Sequence, residues 1–333
     1  MQSHEDMLVK VAQLYYEDQL TQTEIGRRMN TSRSTVSRML KECRELGVVH
    51  IKINYPWRRI HALENELCQR FELRECRVLE SKERPIDQTM KGMGLLAADF
   101  LDSFLQDGMT LGVSYGRSIA AVIEQLSPSR HIDLTMVQIL GALGSGNPLI
   151  EGPDLVRSLA NLYKAKYHYL YTPLLVESNH TRDLLIQEPN IRDTLEHGRQ
   201  ADAVILGIGA HDDNEDSGLI WTGYMGRKEF AFLKSRGAVG HMCAQHYDQN
   251  GKVLDIGLNR RVISIGLEAL KQIETVIAIA GSAEKAQAIS GALRGKYIDI
   301  LITDDVAAME ILKMKASNLN LAQNNDGSIT GEV

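Results

Sequence analysis

The 333-residue sequence predicts an α/β protein in two parts. A small helical unit occupies residues 1–57, a larger domain with a mostly parallel sheet follows over 58–315, and 316–333 form a polar, disordered tail. Three observations predict this. Two helical patterns meet at a tight polar turn between Thr21 and Leu46. Short apolar runs bounded by Gly, Asp or Pro recur from Cys76 onward, mostly separated by helical patterns. Charge is also unevenly shared. Residues 1–60 carry ten Lys/Arg against seven Asp/Glu, a net +3, whereas the remainder carries 27 against 36, a net −9.

The first helix spans residues 5–16, with Leu8, Val11, Ala12 and Tyr15 along one face. Thr21-Gln22-Thr23-Glu24 is a capping box: the Thr hydroxyl accepts from an early N–H and the Glu carboxylate returns to the cap N–H. Ile25 and Met29 fall one turn apart on the buried side, and Gly26 lets a second helix cross closely. Asn30-Thr31-Ser32 supplies turn and cap chemistry. In the next helix Val36, Met39, Leu40, Cys43 and Leu46 form the apolar stripe. Arg33, Ser34, Ser37, Arg38, Lys41 and Arg44 lie on the other side, with Thr35 at its edge. Gly47 ends the helix.

A cationic, hydroxyl-rich face of this kind suits a major groove. A basic surface helix is the bland alternative. Capping box, small residue, turn and two-faced helix in this order favour a helix-turn-helix. Its candidate DNA contacts are Gln22, Thr23, Ser32, Arg33, Ser34, Thr35, Ser37, Arg38 and Lys41. A net +3 per chain would bind a duplex weakly, so a dimer or higher oligomer is expected. Residues 48–53 alternate like the short strand of a wing, and Trp57 is expected to close a small core rather than to insert near DNA.

A helix over 60–71 presents Ile60, Leu63, Leu67 and Phe71, a stripe equally suited to a dimer contact or to docking on its own domain. A strand at 76–79 and a long helix opened by Pro85 and running through Leu105 come next. Strands are predicted at 109–113, 134–139, 167–170, 203–208, 276–280 and 300–302. In such sheets ligands bind beyond the carboxyl ends of the strands. Three glycine-bearing loops fall there: Gly112-Val113-Ser114-Tyr115-Gly116-Arg117-Ser118, then Gly141-Ala142-Leu143-Gly144-Ser145-Gly146, then Gly207-Ile208-Gly209-Ala210. Glycine after a strand is often only a turn, but three such loops on one sheet edge predict a polar ligand cleft. Backbone N–H groups, hydroxyls and Arg117 in the first could cradle a phosphate.

Hydrophobic residues make up 44% of the chain and charged residues 24%, ordinary values for a globular protein. No run is long enough to span a membrane and no apolar signal region opens the chain, so a cytoplasmic location is expected. Cys43, Cys68, Cys76 and Cys243 lack metal-ligand spacing and are expected to be reduced. No metal, cofactor or catalytic residue is expected. Gly207 and Gly209 lack the third glycine of the dinucleotide fingerprint. Gly291 through Lys296 is one residue short of a phosphate-binding P-loop and continues with Tyr297 in place of Ser/Thr.

The pattern LYYEDQLTQTEIGRRMNTSRSTVSRMLKECRELGVVHIKI, followed by GVSYGRS, RGAVGHMCAQHYDQNGKV and AGSAEKAQAISGALRGKYIDILITDDVAA, resembles the SorC-type bacterial sugar-operon regulators from about Met7 to Leu312. The resemblance implies a Rossmann-like C-terminal domain similar to sugar-phosphate isomerases and deaminases that senses an effector without turning it over. It implies phosphate contacts at Gly112, Ser114, Tyr115, Gly116, Arg117 and Ser118. Lys285 would reach the phosphate, Gly141 and Gly144 would line the sugar, and Asp248 would lie near its hydroxyls. Without the resemblance, Lys285 reads as a surface lysine and Asp248 as part of a hairpin turn. His241 stands where many members have Asp, so the effector's identity does not carry over.

The expected partners are therefore a double-stranded DNA operator, a sugar or sugar-phosphate effector and a second copy of the chain. Two other classes stay open. An isomerase or deaminase fused to a DNA-binding module would need a base from Asp99, Asp202, Asp212, Asp213, Asp216 or Asp304, none with an evident partner. An adaptor would offer its basic helix to an acidic protein.

Overall fold

Thr21 and Ser32 decide where the first unit turns. The computed structural model describes residues 4–49, 57–81, 84–144, 146–147, 150–211 and 227–314, and its contacts divide the chain into Met1–Pro56 and Trp57–Val333. In the first unit, α1 (His4–Tyr16), α2 (Gln22–Arg28) and α3 (Arg33–Glu45) enclose Leu8, Val11, Leu14, Ile25, Val36, Leu40 and Cys43. Glu24 N–H donates to Thr21 Oγ1 at 3.3 Å and Thr21 N–H to Glu24 Oε2 at 2.8 Å, so the capping box is complete. Ser32 caps α3 by accepting from Thr35 N–H at 3.1 Å. A Cβ on Gly26 would come within 2.9 Å of Thr31 O, so the α2–α3 turn leaves no room for a side chain. The Cys43 thiol donates to Leu8 O, and burial raises its pKa. Val48 lies in a bend and Val49 in neither helix nor strand, and the rest of the expected wing falls outside the described residues, as does the tail.

In the second unit, α4 (His61–Phe71) buries Leu67 against β1 (Glu75–Leu79), so its stripe docks on its own domain. Glu64 holds this corner. Burial pushes its carboxyl up, but hydrogen bonds from Arg59, Val78 N–H and His61 outweigh that and keep its pKa below the ordinary value. Trp57 packs over Gly92 with Arg84 across its ring, so it joins the core of this second unit rather than closing the small core of the first. Then come α5 (Ile86–Phe104), β2 (Thr110–Val113), α6 (Arg117–Gln125), β3 (Thr135–Gln138), α7 (Gly152–Tyr163), β4 (Lys166–His168), α8 (Asn179–Leu185), α9 (Pro189–Arg199) and β5 (Ala203–Gly207). A Cβ on Gly94 would lie 2.4 Å from Ala121 O, which is how closely α5 crosses α6.

After β6 (Gly209–Ala210) come α10 (Arg227–Ser235), β7 (Gly240–Met242), β8 (Gln245–Tyr247), α11 (Gly257–Arg260), α12 (Leu267–Leu270) and β9 (Thr275–Ile279). A 3-10 turn (Ala283–Lys285), α13 (Ala286–Arg294), β10 (Ile300–Asp304) and α14 (Asp305–Lys313) complete the described fold. The large sheet has the order β1-β10-β9-β5-β2-β3-β4, and each pair is parallel. Its central strands are fully buried, because helices cover both faces. A second sheet, β6-β7-β8, is antiparallel and was not legible in the sequence, since strands of two or three residues show no period. Among the described residues no helix is long and apolar enough to cross a membrane.

Candidate functional site

Two regions carry the candidate functional side chains. In the first unit, Arg33, Ser34, Ser37, Arg38 and Lys41 are exposed along one face of α3, with Ser32 at its start and Thr35 half-buried. Thr23 is exposed and Gln22 half-buried at the start of α2. Lys41 is 3.5 Å from Glu45, whereas Arg33, Arg38 and Arg44 make no ion pair among the described residues. The Ser32 hydroxyl bonds the Ser34 and Thr35 hydroxyls at 2.7 and 2.8 Å, tying the small polar groups to the helix start. The candidate contacts thus share one continuous surface, backed by the buried stripe Val36, Leu40 and Cys43.

In the second unit the decisive place lies between β2 and β5. From β2 the chain moves outward to β3 and β4, and from β5 it moves the other way to β9 and β10. The loops leaving these neighbouring strands therefore diverge and open a crevice at their carboxyl ends. Ser114 N–H donates to Ile205 O at 3.0 Å, and the buried Ser118 hydroxyl lies beside Gly207. Gly116, with φ 106°, precedes α6 and offers no side-chain cap, so the first turn of α6 presents its N–H groups uncapped by a side chain. Tyr115 is half-buried and Arg117 exposed.

The end of β9 joins the same edge. β6, which continues from β5, touches the 3-10 turn that ends at Lys285. The Lys285 charge bears on His241, which pairs with Gly209 across the β6–β7 ladder. A Cβ on Gly209 would meet His241 Nε2 at 2.0 Å, so the imidazole lies directly against the glycine backbone. Burial, His211 and Lys285 together hold His241 neutral, with a pKa lowered to about 3. Ser282, at the start of this turn, has φ 84° and ψ 154°, a conformation that costs a non-glycine residue on the order of 1–3 kcal/mol. It is held there by donating its N–H to Asp304 Oδ2 at 2.8 Å. Burial raises the Asp304 carboxyl, and its bonds from Ala307 and Ser282 N–H work against that rise.

Three expected ligand residues have packing or turn roles in the fold. Gly112 lies within β2, where a Cβ would strike Ile139 and Val204 at 2.7 Å; it is a packing glycine. Gly141 meets Pro173 O, which would lie 2.4 Å from a Cβ, and donates its N–H to Ile263 O. Asp248 Oδ1 accepts from Asn250 and Lys252 N–H in a tight turn. That turn packs on Gly291 and Gly295, toward the end of α13 opposite Lys285. Gly144 is exposed with φ 69°. Its loop faces a separate open concavity of about 630 Å³, lined by Ala142, Pro153, Arg157, Tyr169, Tyr171 and Pro173 among others.

The acids considered as bases are engaged elsewhere. Asp99 pairs with Arg77, Asp202 accepts from Thr110 N–H, and Asp304 caps α14. Asp212, Asp213 and Asp216 lie outside the described residues. The sequence reading missed His211 and His246, which join His241 inside the small sheet, and the strain at Ser282; three scattered histidines make no pattern along a chain.

Comparison with known proteins gives consistent results. Residues 55–313 match the family model Sugar-bind, a sugar-binding domain, and residues 10–45 match Sigma-70, region 4. Transcriptional regulator LsrR of Klebsiella pneumoniae subsp. pneumoniae is 32% identical over 313 residues, covering 94% of each chain. The sorbitol operon regulator of Klebsiella pneumoniae is 32% identical over 92% of this chain and 98% of its own. The crystal structure of full-length SorC from Klebsiella pneumoniae aligns with a TM-score of 0.72 at 31% identity, covering 94% of this chain and all of that one.

Proposed function

The chain belongs to the SorC family of sugar-responsive transcriptional regulators, and from that premise we propose that its second unit binds a phosphorylated sugar at the β2–β5 crevice. Residues Ser114, Tyr115, Gly116, Arg117 and Ser118 and the uncapped start of α6 hold the phosphate from one side, and Lys285 approaches from the other. The observation that carries this reading is the convergence of two cationic loops on one sheet edge, where the strand order reverses. A helix N-terminus and two cations complement an anionic group. His241, buried and neutral, lies beside Lys285 at this edge.

The first unit reads an operator of a carbohydrate catabolic operon through α3, with Ser32, Arg33, Ser34, Thr35, Ser37, Arg38 and Lys41 at the duplex and Gln22 and Thr23 beside them. Two or four copies act together, because the charge of one basic face is modest. Effector binding changes which arrangement of copies is favoured. A coupling of about 1–3 kcal/mol changes operator affinity about 5- to 150-fold.

Fluorescence anisotropy on duplexes from the neighbouring promoter region, with and without a panel of sugars and sugar phosphates, tests this reading. Lys285→Ala is expected to abolish the metabolite response while leaving affinity for the duplex without metabolite intact. A wild-type protein that ignores every such duplex, with or without metabolites, would overturn the proposal. An unchanged response in Lys285→Ala would remove the lysine from the site.

A further inference from the structure

Three imidazoles share the interior of the small sheet. His241 and His246 face each other across the β7–β8 ladder with ring centroids 5.3 Å apart. The His211 ring lies 4.8 Å from His246 and 5.9 Å from His241. All three side chains are buried. A single hydrogen bond links His211 Nε2 and His246 Nδ1 at 2.7 Å. Among the described residues, each of those two rings keeps an outer nitrogen, His211 Nδ1 and His246 Nε2, buried without a partner.

A neutral imidazole has one N–H and one lone pair. Whichever ring donates to the other, the outer nitrogens are therefore one donor and one acceptor. The pair therefore has two polarities, and among the described residues no hydrogen-bond partner of the outer nitrogens selects between them. Among the described residues no carboxylate is positioned to offset a proton either. Phe230 comes from α10, 5.2 Å from His211. Asn259 comes from α11, and its amide is spent on the His246 backbone and Leu254 O. Lys285, from the 3-10 turn, opposes protonation of His241. Burial is the largest influence on each ring: it lowers the pKa of His211 to about 4 and that of His246 well below the histidine value.

We propose that this stack is a proton-sensitive latch: neutral rings keep the β6–β7–β8 sheet closed beside the Lys285 turn, and mild acidification loosens that sheet. The sign follows from linkage. Above about pH 6.5, the ordinary value for an exposed histidine, closed and loosened sheets both carry neutral rings and pH has no effect. As pH falls below that, the loosened sheet takes up protons that the closed sheet refuses. The closed state then loses about tenfold in population ratio per pH unit for each ring that titrates, until the buried rings themselves protonate. β6 touches the 3-10 turn, so loosening reaches the wall of the crevice and lowers its readiness to bind.

Amide hydrogen exchange of the full chain, followed by mass spectrometry between about pH 7.5 and about pH 5.5 and corrected for the intrinsic rate, tests this without a ligand. Protection over residues 240–247 is expected to fall more than about tenfold across that range, while residues 300–304 of β10 change little. His246→Gln and His211→Asn, which keep a polar group but cannot titrate, are each expected to flatten the fall by about tenfold per pH unit. Wild-type protection that is constant, or that falls equally in both segments, overturns the proposal. So does an unaltered slope in both variants. If a variant fails to fold at neutral pH, the comparison of the two wild-type segments still decides.

Discussion

The two units present their candidate functional side chains in opposite ways. In the first, one 13-residue helix supplies nearly all of them, with a buried stripe on one side and exposed cations on the other. In the second, the candidate site is assembled from the ends of β2, β5 and β9, whose residues lie far apart in the chain and meet only because of the strand order. A contiguous surface can be altered one side chain at a time. An assembled one depends on the backbone packing that brings its loops together.

The largest expected effect breaks the second unit through packing rather than through ligand contact. Gly141→Val forces a side chain against Pro173 O and is expected to cost about 3 kcal/mol in chemical denaturation. Gly146→Ala, which meets no atom within 4 Å and is opposed only by its positive φ, is expected to cost about 1 kcal/mol. Equal costs would erase the distinction between a packing glycine and a turn glycine. In the first unit, Arg38→Ala is expected to weaken binding to the specific duplex by about 1–3 kcal/mol and leave the metabolite response intact. Equal loss on a random duplex would make Arg38 a phosphate contact. Ser32→Ala, which deletes the α3 cap, is expected to cost about 1 kcal/mol of stability, read by thermal unfolding. A much larger loss would mean that the cap organises more than its own helix.

The first unit was legible because its information is local. Capping box, turn and apolar stripe each occupy three to eleven adjacent residues, and the structure keeps all three except that Leu46, at the end of the stripe, is exposed. In the second unit the alternation of strands and helices and most strand positions could be read, including the long helix after Pro85. The role of each glycine could not. Gly112, Gly116 and Gly141 look alike in sequence, yet one fills a gap inside the sheet, one precedes a helix and one abuts a neighbouring loop. Which of these applies is set by strands that arrive later in the chain. Asp248 shows the same limit: its turn was apparent, but not that the turn packs on Gly291 and Gly295. The helix that opens with Ile86 and the helix after residue 60 both matched, because a long amphipathic period survives whatever it packs against.

The pairing of β1 with β10 has a consequence for synthesis. Within the large sheet the first strand pairs only with the last, more than two hundred residues downstream. At ribosomal speeds of about 5–20 residues per second, β1 waits roughly ten to forty seconds for its neighbour to be made. The helical unit ahead of it has already left the exit tunnel by then, so the reading head is complete while the receptor still lacks its closing strand.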